Sequence, residues 1–567
     1  MILKYRIVIF LHNVGNKLKK IYELVQKVAF FGIYLNRRGR KKLIYAMRGY
    51  RFLKDSNQIG KIYSVLGSFM NNKLICCEQR TSKLFFGTAL NNSELIIRQY
   101  LQSRVANLSF NKSLLCFLGK HGSKVVHPLP SQWRKLVEQN GFKVDNIKSA
   151  LLWYSFVTQM WAYGTVSIII QSFKNLKMLI GRNYPLPVNY VFFDSLNRNN
   201  LPQPCEDGQS FEIITWYLKW PGRISGVDNI CHNVRESNTQ IIDHITIISI
   251  PSVIPPLGNL YSTIRYISWG IGASIISLFN IFIGHWWHPL MLHEASIAKL
   301  VSLQTPGKLA REYLFHNSNH IYRPLWTYEA EKKGSKISFY FYSTNNEGFK
   351  SSDGYRKLFI GWRTATWPRY LVWNTFQGDF IRRTVDMNAI VDVVGPIWFS
   401  TIKISLPDIP QNSIAVFDVQ PVRDSYYQIL GIPYEYYTPE TAVPFIKDIY
   451  ATLHKHDATL VLKRKRNIGH LSHYKFRQCV DALDGQNSFI AIDPDLSAVR
   501  VIEKCVAVIS MPFTSTALIG RELGKPSIYY DPSGFVKKND RAAHGIPILT
   551  GPQELSEWLN RIINKES

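Results

Sequence analysis

At 567 residues, 46% of them apolar and 19% charged, the chain is too apolar for a disordered protein and long enough for two or more packed domains. Its formal charge of +28 is unevenly placed, because 18 cations and 18 anions lie from Pro407 onward and 50 cations face 22 anions before it. The seven cysteines form no CxxC pair and no metal-ligand spacing with histidine, which argues against a disulfide framework and a zinc site and suits a reducing cytosol.

In chain order, residues 1–115 read as a basic, helical N-terminal region. Met1–Phe10 has Lys4 and Arg6 beside a short apolar stretch but no small-residue cleavage site, so no secretion signal is expected. Within Asn16–Lys42, Leu18, Ile21, Tyr22, Val25 and Val28 share a helix face ahead of the cations Arg37 to Lys42, which suits either an anionic membrane surface or a solvated basic face.

Residues 116–397 read as a first Rossmann-like domain. Strands are expected at Lys124–Val126, ahead of His127-Pro-Leu-Pro, and at Val188–Phe193, ahead of Asp194. A unit follows with strand Glu312–Asn317, helix Arg323–Lys333 and strand Lys336–Tyr342, then the polar loop to Glu347 and strands near Tyr370–Trp373 and Ile390–Gly395. Two uncharged helical stretches, 151–173 and 266–293, interrupt this pattern and are long enough to span a bilayer. Ser155, Thr158 and Gln159 in the first, and Gly270, Gly272, Gly284 and Pro289 in the second, speak against spanning. Shallow insertion with Trp286 and Trp287 at headgroup level, or two buried core helices, remain.

A hinge is placed at 398–412, where Pro407 and Pro410 fall in a stretch without periodicity. Residues 413–567 then alternate short β-branched runs with helical lengths, the mark of a parallel sheet with crossover helices. Strands are expected at Ser413–Val419, Ala458–Leu462, Phe489–Asp493, Val506–Met511, Ser527–Asp531 and Ile546–Leu549. The fold class is therefore α/β, two Rossmann-like domains facing a cleft, with membrane-proximal helical insertions in the N-terminal half.

The chemistry concentrates in Ser510-Met-Pro-Phe-Thr-Ser-Thr516, where a buried strand ends, hydroxyls follow and a helix starts. Unpaired N–H groups and the positive end of the helix dipole suit a phosphate there, with Ser510, Thr514, Ser515 and Thr516 adding donors beside Pro512 and Phe513. Simple N-capping by Thr514 or Ser515 is the plainer alternative. Further ligand-side candidates are Gln420 and Arg423 after the domain's first strand, Lys463 and Lys465 in a four-cation run, and Asp493. Acid–base candidates in the first domain are His127, Asp194 and Glu347, each at a strand end or in a polar loop. Protease, P-loop, α/β-hydrolase and dinucleotide fingerprints are absent, and the Asp-x-Asp string Asp493-Pro-Asp495 reads as a strand end and helix cap, so no metal-binding DxD pair is expected.

The tail Glu522-Leu-Gly-Lys-Pro526 resembles the ending of the donor helix in GT-B glycosyltransferases, and by that resemblance Glu522 holds the nucleotide ribose. The PFTS segment, Val416-Phe-Asp-Val-Gln-Pro-Val-Arg423 and Val461-Leu-Lys-Arg-Lys-Arg466 together resemble the bacterial polysaccharide-biosynthesis PFTS-motif family over roughly residues 120 to 560. That family is similar in its C-terminal half to transferases using CMP-activated Kdo or sialic acid. The resemblance implies a nucleotide-sugar-dependent enzyme of capsule, O-antigen or lipopolysaccharide assembly. It is expected to act on a lipid-linked or glycan acceptor, without metal or other cofactor, on the inner face of the bacterial cytoplasmic membrane. A UDP- or GDP-hexose donor, a non-catalytic envelope scaffold and a nucleic-acid binder are the alternatives, the last lacking any RNA-binding signature.

Overall fold

A computed structural model describes Phe85 and residues 129–566 apart from short stretches, the longest being 181–186, 203–211, 356–361, 398–404 and 423–435. The expectations for 1–115, for Lys124–Val126 and for residues 398–404 of the hinge lie outside the described residues, as do His127, Arg423 and Lys465.

The first domain opens with helices α1 (Ser131–Gln139) and α2 (Asn146–Ile180) and strand β1 (Tyr190–Phe193). Then come α3 (Ile213–Lys219), β2 (Asn229–His232), β3 (Gln240–Ile242) and β4 (Ile245–Ser249), a run of elements that the sequence reading missed. Two long helices, α4 (Leu260–Ile283) and α5 (Trp287–Ser302), lead to β5 (Glu312–His316), α6 (Trp326–Lys332), β6 (Lys336–Tyr340), β7 (Tyr370–Val372), α7 (Thr375–Thr384) and β8 (Val391–Val393). Neither Gly270 nor Gly272 breaks α4. It ends at Gly284, whose φ of 86° a side-chain-bearing residue resists. Pro289 sits in the first turn of α5, where its missing N–H would have had no partner anyway.

The second domain comprises β9 (Ser413–Phe417), α8 (Pro439–Lys455), β10 (Thr459–Lys463), α9 (Tyr474–Asp481), β11 (Phe489–Ile492), α10 (Ala498–Lys504), β12 (Ala507–Ser510), α11 (Ser515–Glu522), β13 (Ser527–Asp531), β14 (Ile548–Thr550) and α12 (Gly551–Glu566). β9 and β10 are buried at every residue, as parallel strands covered on both faces must be, which is why they read as unbroken apolar runs.

The two sheets share one wiring. The first runs β3-β4-β2-β1-β5-β6-β7-β8, parallel except for the β3–β4 hairpin, and the second runs β11-β10-β9-β12-β13-β14, parallel throughout. Apart from β3, which lies outside the later β4, each grows outward from its first strand, β1 or β9, in one direction and then the other. The order therefore reverses between β1 and β5 and between β9 and β12, and ligands of doubly wound sheets bind beyond the carboxyl ends at such a reversal. The α/β expectation of two Rossmann-like domains is met by this wiring.

The domains touch at several points. Leu406 and Ile409 of the linker pack into an apolar cluster that continues into Ala415 and Phe417 of β9. The first domain's loop after β6 reaches across to the second: Phe349 lies among Tyr436, Tyr437, Phe513 and Phe535, and Tyr355 donates to Asp540 at 2.8 Å.

Candidate functional site

The second domain's reversal point places the loops after β9 and β12 side by side, with the Met511 N–H bonded to the Phe417 carbonyl at 2.9 Å. From β12 the chain makes one tight turn, Met511 to Thr514, before α11 begins. Phe513 holds a φ of 65°, a left-handed conformation costly for an aromatic residue. Its surroundings compensate: the Phe513 ring is buried, 4.9 Å from Phe349, while Tyr437 donates to the Pro512 carbonyl at 2.8 Å and Tyr529 to the Thr514 carbonyl at 2.9 Å.

The hydroxyls divide into two groups. Thr514 is the residue preceding α11, yet its side chain caps no helix N–H and donates backward to the Met511 carbonyl at 2.8 Å. The plainer alternative of an N-cap by Thr514 is thus not what forms. Ser510 is fully buried and paired with the Thr516 hydroxyl at 2.8 Å, so it braces the turn from within. Ser515 and Thr516 stay partly exposed at the helix start. What results is a rigid turn presenting first-turn N–H groups that no side chain satisfies, an arrangement suited to an anion.

Other donor-side candidates surround it unevenly. Gln420 is half-buried after β9. Lys463 is buried and donates to the Arg464 carbonyl at 3.2 Å and the Pro494 carbonyl at 3.0 Å, so it ties the end of β10 to the loop after β11. Burial also holds its ammonium below the usual lysine range. Asp493 is exposed and accepts from the Asp495 N–H at 2.8 Å, a local turn. Glu522 closes α11, exposed, with Arg521 3.7 Å away.

Asp418 was not singled out from sequence. It follows β9 directly, is buried, and neither carboxylate oxygen has a hydrogen-bond partner. Burial pushes its pKa up to about 7 against the opposing pull of the Arg464 and Lys463 charges. An acid directly after an apolar strand was the visible signal.

On the first sheet, Asp194 follows β1 and is buried, accepting from the Ser195 hydroxyl at 2.6 Å. Beside it His316 ends β5, its Nε2 3.3 Å from the Ser195 carbonyl and its ring 4.4 Å from that of Tyr342. His316 escaped the sequence reading because its strand position gives no local cue, whereas adjacency of β1 and β5 brings it to Asp194. Glu347 is corrected: its side chain is 4% exposed, and Arg383 at 2.5 Å and Arg541 both hold it. Both carboxylate oxygens are taken by guanidiniums, one from each domain, so Glu347 joins the domains instead of facing the cleft.

A family model described as polysaccharide biosynthesis PFTS motif protein matches residues 276–559, half of the chain and all of the turn just described. The chain belongs to that family. The PFTS-motif match runs from within α4 into α12, spanning both reversal points on the β5 and β12 sides. No curated protein matches the chain. Solved structures similar to it include the wall teichoic acid polymerase TagF, at 9% identity, 72% of this chain, 90% of that chain and a TM-score of 0.35. A UDP-GlcNAc 2-epimerase from Methanocaldococcus jannaschii is 8% identical, with 66% of this chain and 93% of that chain covered at a TM-score of 0.35. A kitacinnamycin glycotransferase is 10% identical, with 67% and 92% covered at 0.33. At such scores the fold rests on this chain's own strand order.

Proposed function

We propose that this polysaccharide-biosynthesis protein is a GT-B-type glycosyltransferase, moving a sugar from a nucleotide donor to a lipid-linked or glycan acceptor. The observation that carries the reading is the braced PFTS turn at the reversal point, which leaves first-turn N–H groups of α11 without side-chain caps beside partly exposed Ser515 and Thr516. A donor phosphate fits there, and the same groups stabilise the charge that develops on it as the sugar leaves. Glu522 lies seven residues after Ser515, about 10 Å along the axis and on the same face, which suits a ribose contact at the nucleoside end. Asp194 is the base candidate that takes the acceptor proton, with His316 beside it.

CMP-Kdo or a CMP-nonulosonate is the proposed donor class, on family resemblance, and transfer without a metal is proposed with it, the uncapped N–H groups of α11 taking up the phosphate charge. A thermal-shift panel of CMP, UDP, GDP, ADP and dTDP, with and without EDTA, tests both points. Stabilisation by CMP above the others, insensitive to EDTA and weakened about tenfold in affinity by Ser515→Ala, is expected. Preference for UDP or GDP replaces the donor class, and no stabilisation by any nucleotide removes the donor site.

A further inference from the structure

Helix α4 is built inside out. Its small and polar residues, Gly270, Ala273, Ser274, Ser277 and Asn280 among them, are buried, while Ile264, Ile271, Ile275, Phe279, Phe282 and Ile283 face outward. Phe282 is 81% exposed and Phe279 63%. The inward face allows close packing: a Cβ on Gly270 would stand 2.4 Å from Ile168 Cγ2 of α2, and Trp161 donates to the Ser274 carbonyl at 2.9 Å. Small residues inward and large apolar residues outward is the distribution of a helix that meets hydrocarbon on its free side. The outward stripe runs the length of the helix, about 36 Å, far beyond scattered surface residues.

We propose that this outward stripe of α4 is a bilayer-docking surface, lying in the membrane plane with the apolar side chains below the headgroups of an anionic leaflet. Charge selects the occupant. Arg265 lies on the same outward side, 5.5 Å from the Tyr261 ring centre, and Lys299 of α5 is close enough to feel its charge. With a net +28 on each chain, two copies repel, whereas an anionic leaflet attracts. The in-plane orientation follows from the neighbour: α2, packed along α4, exposes Ser155, Thr158 and Gln159, which favour water over hydrocarbon.

Flotation of the full chain with vesicles of phosphatidylcholine, alone or mixed with phosphatidylglycerol, tests this independently of transfer. The wild type is expected to float with the anionic vesicles and to stay bound in high salt. A Phe279→Ser, Phe282→Ser pair, with unchanged thermal unfolding, should bind at least about tenfold more weakly. A wild type that floats with neither vesicle, or a pair that floats as the wild type does, overturns the proposal. So does a wild-type dimer, seen by light scattering, that the pair dissociates, because a second copy then covers the face.

Discussion

Asp418 shows what a single buried carboxyl imposes on the molecule. Its folded pKa of about 7 lies above the ordinary 3.8, so the folded chain holds that proton more tightly than the unfolded chain does. The stability tied to this group is therefore complete below about pH 4 and is lost as pH rises through 7. Asp418→Asn keeps the shape without the charge, and its melting temperature relative to wild type should rise between pH 5 and pH 8. An offset that stays constant across that range would falsify the assignment. The sequence displays Asp418 after an apolar run, but Arg464 and Lys463, the cations that oppose the shift, arrive beside it only through pairing of β9 with β10.

At the scale of elements, the short buried strands and the turn before α11 were legible because parallel strands are apolar on both faces and helix starts have local chemistry. Missed were β2 to β4, although Ile245-Thr-Ile-Ile of β4 is a β-branched run; β3 is partly exposed and opened by polar Gln240, and β2 is only four residues long. The helical layer gives a sharper test. A Cβ on Gly164 of α2 would lie 2.8 Å from Leu292 Cβ and 3.0 Å from the His293 backbone nitrogen in α5, and the backbone cannot yield cheaply. Gly164→Ala is expected to cost about 1–3 kcal/mol in chemical denaturation. On α4, Gly272 has open space around its Cβ position, so Gly272→Ala should stabilise by up to about 1 kcal/mol. Equal effects at the two glycines would contradict the close approach of α2 to α5.

For the whole molecule, the decisive contact is the loop carrying Glu347, Phe349 and Tyr355 from the first domain onto the second. Glu347→Gln removes the charge that binds Arg383 and Arg541, both partly exposed, and should cost about 1–2 kcal/mol. Small-angle scattering should also show a larger radius of gyration as the two domains separate. An unchanged radius together with unchanged stability would mean that the apolar contacts of Phe349 alone hold the domains together.

The sequence by itself determined the class of fold and the phosphate-suited turn, since strand burial, helix starts and the PFTS string are local properties of neighbouring residues. The tertiary structure decided which residues share a site. Sheet order set His316 beside Asp194 and Asp418 at the reversal point, and domain contact turned Glu347 from a rim carboxylate into a bridge. Packing likewise fixed the direction of α4, because an apolar helix has no preferred side until neighbours take its small residues and leave its large ones outside.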